Sequence, residues 1–563
     1  MAGFEDACSS TNWVGGSSDI GVNSNWSNGL PTFTNEGTVG GAAVVNYNLS
    51  SALNSMTLTL TDSSTLGGGN LYITSSDLFV NQTAELAVSS DLRVGAASSS
   101  QITKISLTDA AGLIVNDDVF LGYNSVAEIN QAGSSYFSVG GDLILGERAG
   151  GADSLYSLSG GTLEIAKSLE ILRSSEFKMS GGTVVVDENF KTKGSGSLLE
   201  VSQGSLSVGN DLELDDQGAA IISGGDIDVG DDVKLKHQST FTITGGVLQV
   251  DDKFEVKGGS DVTQSGGIIG VGNKLVLKDS GSTYTQSGGS LGVGGLEVAS
   301  KAKFFQTGGA TTVVGDVTVK DSEFHQSDDV SIGGDLVISK KGVWYANGGV
   351  LNVGDDLILK DSNSEFVQTN ADVIVDGSLD LSKNAKYYLE GAGSLKVADA
   401  IVIDKAQNFI WKDGGTLAVH TAANVINVIG DVDTSNGAIL DLMGKTEFLD
   451  VSKTIDIQDL EVSGYDLDLD AQRDITVQTG CYLLIEADTI VGASNIYFTG
   501  FTGQDGAVLI ADGAIFNPLL EDVYWFESSA TQVHVCWSLT PVPEPSSLML
   551  LGMSSLALLV RRR

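Results

Sequence analysis

Val353 to Ser362 reads VGDDLILKDS, and the same phrase returns as VGDDVKLK from Val229, VDDKFEVKG from Val250, VGNKLVLKDS from Val271 and IGGDLVISK from Ile332. The apolar residue after each polar turn marks the repeat: Leu92, Val119, Leu143, Leu169, Phe190, Leu212, Val233, Phe254, Leu275, Leu296, Val317, Leu336, Leu357, Leu379 and Ile401. The five steps from Leu212 to Val317 are 21 residues each. A period that steady signals a repeat architecture, and it governs the reading of every local motif.

One unit contains three stretches of alternating apolar residues, around Ile269 to Val271, Leu275 to Leu277 and Thr283 to Gln286, separated by Gly, Asp, Asn and Ser. Alternation bounded by turn formers predicts short half-buried strands, and none of the three is long enough for a helix. A unit of this size cannot bury its own apolar face, so neighbours must stack on a shared core. The expected fold is all-β: a single-stranded parallel β-helix, or solenoid, with coils of about 21 residues. The composition suits it, with 71 glycines for the turns and only 5 prolines to remove ladder donors.

The expected organisation is an N-terminal cap over 1–50, β-helix repeats over 51–402, irregular final coils and a C-terminal cap over 403–539, and a terminal segment over 540–563 with a short hydrophobic helix. Caps are required because open ends would expose strand edges and core. The coils from about Leu53 to Leu172 are less regular, with spacings of 24 to 27 residues among the markers there.

Residues that recur with the coil form columns. Gln264, Gln286, Gln306, Gln326, Asn347 and Gln368 are read as an inward amide ladder bonding along the stack. Tyr284, Phe304, Phe324, Tyr345 and Phe366 each stand two residues earlier, which predicts a core row on the same face, with Phe241 and Tyr387 as outer members. Asp231 and Asp232, Asp251 and Asp252, and Asp355 and Asp356 project from one corner. Stacked Asp pairs offer oxygen ligands to calcium, and the simpler reading is a solvated turn that blocks edge aggregation. Lys236, Lys257, Lys278, Lys320 and Lys360 recur one strand later and offset part of this charge. No cofactor and no metal site is assigned.

The formal net charge of −41 argues against nucleic acid and anionic membrane surfaces as partners. The opening MAGFEDACSS shows no basic start followed by an apolar run, so no secretory signal peptide is read there. Three cysteines, Cys8, Cys481 and Cys536, are too few for a disulfide scaffold, leaving open a Cys481–Cys536 bridge or two buried thiols. His237, His325, His420 and His534 fall in no metal or triad spacing, and outside the tail arginine occurs only at Arg93, Arg148, Arg173 and Arg473. The acidic residues recur with the coil and single out no glycosidase pair. The reading is therefore non-enzymatic with no catalytic residue. The alternative is a carbohydrate-active β-helix, a polysaccharide lyase or glycosidase, with a groove between Leu92 and Leu172.

The chain closes on TPVPEPSSLMLLGMSSLALLVRRR: a Val-Pro-Glu-Pro motif at Val542 to Pro545, an apolar run from Leu548 to Val560, then Arg561, Arg562 and Arg563. Basic residues after an apolar run stop translocation with the arginines on the cytoplasmic side. The run of 13 residues is short against the roughly 20 a stable span needs. This arrangement closely resembles the PEP-CTERM sorting signal of Gram-negative bacteria. The resemblance implies that Pro543, Glu544 and Pro545 are recognised by an exosortase-type processing enzyme and that Arg561 to Arg563 form the stop-transfer end. It also implies transient residence in the inner membrane, then the cell surface or extracellular matrix. The stretch Leu121 to Gly146, with its Gly122 turn, Gln131 amide, Gly140–Gly141 turn and closing Gly146, resembles autotransporter-like surface proteins, and Trp13 and Trp26 stand in a segment like the opening of such passengers. Together these imply an exported spacer, matrix component or adhesin, with extracellular polysaccharide as a partner.

Overall fold

The computed structural model describes residues 58–95, 101–146, 153–390 and 393–398 with their side chains, together with shorter segments before them and strand backbone as far as Cys536. Two compact units form, residues 1–312 and 313–563. Among the described residues every regular element is a strand, and no helix there is long and apolar enough to cross a membrane. The fold is the expected all-β parallel solenoid with coils of about 21 residues.

One coil of the first unit shows the plan. Its strands are Val233–Leu235, Thr240–Ile243 and Val247–Val250. They pair in parallel with Lys253–Val256, Asp261–Gln264 and Ile268–Leu277 of the next coil. Side chains alternate across a strand, so each strand sends two apolar residues inward: Val233 and Leu235, Phe241 and Ile243, Leu248 and Val250, all fully buried. The marker residues lie in one register column within each unit, from Leu92 through Val119, Leu143 and Leu169 to Leu296, and from Val317 through Leu336 to Ile401. In the second unit the coils Leu336–Ser339, Val343–Ala346, Val350–Val353 and Leu357–Leu359, Glu365–Gln368, Asp372–Val375 repeat the plan. Further on the pairing changes sense, since Gln532–Cys536 runs antiparallel to both Asn495–Thr499 and Tyr524–Glu527.

Three corners join the strands, each with its own chemistry. After the first strand the chain turns through two left-handed residues, Asp216 and Gln217, His237 and Gln238, or Gly258 and Gly259. A small residue then enters the core, as at Ser197, Ser239 and Ser260, where the hydroxyl donates to the carbonyl three positions back. The second corner is a glycine pair. At Gly266 a Cβ would stand 2.3 Å from the Thr244 carbonyl oxygen, and Gly267 has φ +69°, so one glycine permits the close approach and the other the turn. The third corner carries the aspartates.

Two columns differ from expectation in the same coil. Phe324 pairs with Trp344, and Trp344 with Phe366, so the inward aromatic is Trp344 and not Tyr345. Gln326 pairs with Ala346 and Ala346 with Gln368, leaving Asn347 exposed in the turn. The step from Val317 to Leu336 is 19 residues, which breaks the count of 21, and a slip of one residue exchanges the inner and outer faces.

Cys8, Trp13, Cys481 and the whole segment 540–563 lie outside the described residues. Trp26, in the expected cap, is buried, and Ser27 N–H donates to the Asn12 carbonyl at 2.9 Å.

Candidate functional site

The aspartate corner is built from the residue just before each first strand. In the first unit this column runs Asn70, Asp91, Asp118, Asp142, Ser168, Asn189, Asp211, Asp232. The backbone ladder is interrupted there, and the side chain supplies the missing acceptor. Asp91 N–H donates to Asn70 Oδ1 (3.1 Å), Asp142 N–H to Asp118 Oδ1 (2.9 Å), Ser168 N–H to Asp142 Oδ1 (3.0 Å), and Lys253 N–H to Asp232 Oδ1 (2.9 Å). In the second unit Asp335 N–H donates to Asp316 Oδ1 (3.1 Å), Asp356 N–H to Asp335 Oδ1 (3.0 Å) and Ser378 N–H to Asp356 Oδ1 (2.7 Å). The expected acidic corner is therefore a hydrogen-bonding staple between coils, a role its sequence did not reveal. One signal was there: Asp and Asn interchange in the column, which suits a short acceptor better than a fixed charge.

Three groups of carboxylate and imidazole atoms lie within 4.8 Å of one another: Asp91, Asp117 and Asp118; Asp211, Asp231 and Asp232; and Asp215, Asp216 and His237. Each already holds a cation of this chain. Arg93 Nη2 stands 2.8 Å from Asp91. Lys234 Nζ stands 2.6 Å from Asp211 and 3.1 Å from Asp232, and Lys193 Nζ is 3.5 Å from Asp215 and 3.3 Å from Asp216. Burial works against the charge on Lys234, but its hydrogen bonds to Asp211 and Asp232 outweigh it and hold the ammonium above the ordinary lysine range. Burial likewise raises Asp215, yet the contact with His237, the Asp216 N–H and Lys193 together bring its carboxyl below the usual range. Of the lysines expected to offset acidity, Lys236 pairs with Glu213 (2.8 Å), and Lys257 (2.6 Å) and Lys278 (3.9 Å) with Glu255.

The glutamine column is inward, with Gln264, Gln286, Gln306, Gln326 and Gln368 fully buried. It is not the amide-to-amide ladder expected. Gln264 Oε1 accepts from Tyr284 of the next coil (2.7 Å), and Gln326 Oε1 from Trp344 Nε1 (3.1 Å). Where the following aromatic is Phe304 and has no donor, Gln286 Oε1 accepts from Thr311 instead (2.6 Å). The amide nitrogens donate to turn carbonyls: Gln264 to Ser290 (2.9 Å), Gln286 to Ala310 (3.0 Å), Gln368 to Ala371 (2.7 Å). Tyr156 and Gln131 form the same pair earlier in the first unit. Gln131, Gln264 and Gln326 thus each bond an aromatic side chain of the next coil, while Gln286 bonds Thr311.

The remaining polar cluster surrounds Arg93, on the outer face of the irregular coils. Its guanidinium carbon lies 5.4 Å from the Tyr72 ring centre, 4.9 Å from Phe120 and 5.4 Å from Tyr123, and Nη1 donates to the Tyr72 hydroxyl (3.2 Å). Tyr72, Arg93 and Phe120 occupy one register column, so the cation is layered between rings. In the second unit His325 and Tyr345 stack outward at 4.5 Å and 16°, with His325 Nε2 3.0 Å from Glu323. In both places half-buried rings on the outer face pack against neighbours of this chain.

The class these features define is an all-β parallel solenoid whose polar columns join one coil to the next. Residues 541–563 match the PEP-CTERM protein-sorting motif. That signal implies export to the cell envelope or surface and processing by an exosortase-type system. Its residues Pro543, Glu544, Pro545 and Arg561 to Arg563 lie outside the described part. No curated protein matches the chain.

Proposed function

We propose that this is a non-enzymatic, exported β-solenoid that serves as a rigid spacer or adhesin at the surface, or in the extracellular matrix, of a Gram-negative bacterium. The sorting motif at 541–563 carries the reading. Its route passes transiently through the inner membrane by way of the apolar run Leu548 to Val560, held by Arg561 to Arg563 until cleavage near Pro543, Glu544 and Pro545. Extracellular polysaccharide is the partner class we favour, and no cofactor is required.

Support also comes from where the polar side chains are committed. The buried glutamines hold side-chain donors of neighbouring residues and backbone carbonyls beside the corners, and the corner aspartates hold backbone N–H groups and this chain's own lysines and arginine. A catalytic carboxylate pair must instead face a cleft. Around Arg93, in the region where an enzyme groove would be sought, the ring faces are taken up by the guanidinium. This arrangement suits a stiff surface more than a reaction centre.

The test is intact mass and location of the native protein across inner membrane, outer membrane and medium. Loss of the segment after Pro545, with protein at the surface or in the medium, is the expected result. A full-length product retained in the inner membrane would overturn the surface reading.

A further inference from the structure

The glycine-pair corner of the first unit is preceded by a hydroxyl residue in coil after coil: Ser223, Thr244, Ser265, Ser287 and Thr307. In the second unit the same corner reads Asn347, Gly348, Gly349. This is the one Asn-Gly step among the described residues. Three features make it chemically distinct. The Asn347 side chain is exposed. Its own N–H is fixed in the ladder to the Gln326 carbonyl at 2.8 Å, whereas the Gly348 N–H donates to no carbonyl among the described residues. Gly348 also has no side chain to shield that nitrogen, and Gly349 turns the chain away with φ +71°.

We propose that Asn347 is a site of spontaneous, irreversible modification in the folded protein, converting to aspartate and isoaspartate. The Gly348 nitrogen loses its proton and attacks the Asn347 side-chain carbonyl carbon. A bond forms from that nitrogen to Cγ, the Cγ–Nδ2 bond breaks, and ammonia leaves with the proton. Water then opens the five-membered imide at either carbonyl. Opening at the α-carbonyl gives isoaspartate, and opening at Cγ gives aspartate. No oxidant, enzyme or cofactor enters the balance.

The surroundings give the change a consequence. Gly348 and Gly349 lie over Ser327 and Asp328 of the coil before, and Val350 N–H donates to Asp329 Oδ1 at 2.9 Å. A new carboxylate at position 347 joins Asp328 and Asp329 in one small area, where like charges repel. Isoaspartate also adds a carbon to the main chain between Ala346, which is buried, and Val350, which is laddered. The result is a charge-adding, corner-loosening mark that accumulates with the age of the molecule.

The full chain is aged in mildly alkaline buffer and digested with trypsin. The peptide 342–360 contains both Asn347 and Asn352, so the strand residue Asn352 is an internal control. The expected result is acid at 347 and not at 352, with isoaspartate in excess, a rate that rises with pH, slower conversion in Gly348→Ala, and loss of the isoaspartyl product in Asn347→Ser and in Gly348→Pro. An intact amide at Asn347 in the folded chain, while the free synthetic peptide converts, would mean that the corner protects it and would overturn the proposal. Undiminished isoaspartate formation in Gly348→Pro, which has no N–H proton to lose, would overturn the assigned nucleophile.

Discussion

Gln264 shows what one buried polar residue does in this fold. Its oxygen accepts from the fully buried Tyr284 and its nitrogen donates to the Ser290 carbonyl beside the corner. Replacing it with Leu keeps the volume and orphans the buried Tyr284 hydroxyl, at about 1–3 kcal/mol. Gln264→Leu should therefore melt at lower temperature than wild type, and equal melting would show that water replaces the amide. Asp335 makes a different demand. Its Oδ1 accepts the Asp356 N–H at 3.0 Å, a job that needs an oxygen and not a charge. Asp335→Asn should be close to neutral, whereas Asp335→Ala should cost about 1 kcal/mol. Equal losses in the two would mean that the charge matters and the staple does not.

At the scale of an element, strand phase decides which residues form the core. In Val343–Ala346 the inward positions are Trp344 and Ala346. Trp344 stacks on Phe324 with ring centres 3.8 Å apart and 4° between planes. Trp344→Ala should cost about 3–5 kcal/mol, the range for deleting a buried large aromatic. Tyr345→Ser, on the outer face, should cost under about 1 kcal/mol, since surface changes rarely exceed that. Denaturant unfolding of the two variants separates these outcomes, and the reverse order would restore the phase that counting by 21 suggests. Most of the stack was legible from spacing, because the markers from Leu92 to Leu379, with Phe241, Tyr284, Phe304, Phe324, Phe366 and Tyr387, are all buried where expected. The exception followed from a shortened coil, whose deficit falls in turns where no apolar residue keeps count.

For the molecule as a whole the dominant quantity is charge. Asp215, Asp252 and Asp361 are held below the usual carboxylate range: at Asp215 partners outweigh burial, at Asp252 the chief cause is Asn273, and at Asp361 it is Lys383. A carboxyl with a lowered folded pKa contributes stability above its unfolded value, about 3.9, and loses it as pH falls through the folded value. The melting difference between wild type and Asp215→Asn should thus be constant at neutral pH and shrink below about pH 4. A difference that persists in strong acid would assign the effect to packing. Lys234 works in the opposite sense. Its raised value contributes below the ordinary lysine pKa, about 10.4, and is lost only as pH climbs through the higher folded value. Because Arg93, Lys234 and Lys193 already sit in the three acidic groups, raising calcium should leave the melting midpoint unchanged. A rising midpoint would show that calcium displaces or supplements them.

The sequence by itself determined the period, the three strands per coil, most of the residues that face inward and the sorting tail. These depend on alternation within a few residues and on recurrence along the chain, both of which are local or countable. Only the tertiary structure decided that Gln264 bonds a tyrosine and not another amide, that Asp118 and Asp335 staple backbone N–H groups, and that Trp344 replaces Tyr345 in the core. Each of these depends on which atom of a residue some 20 positions away lies within hydrogen-bonding or stacking reach. That is a matter of a few ångströms across coils, and an exchange of one residue in a turn changes the answer without changing the pattern.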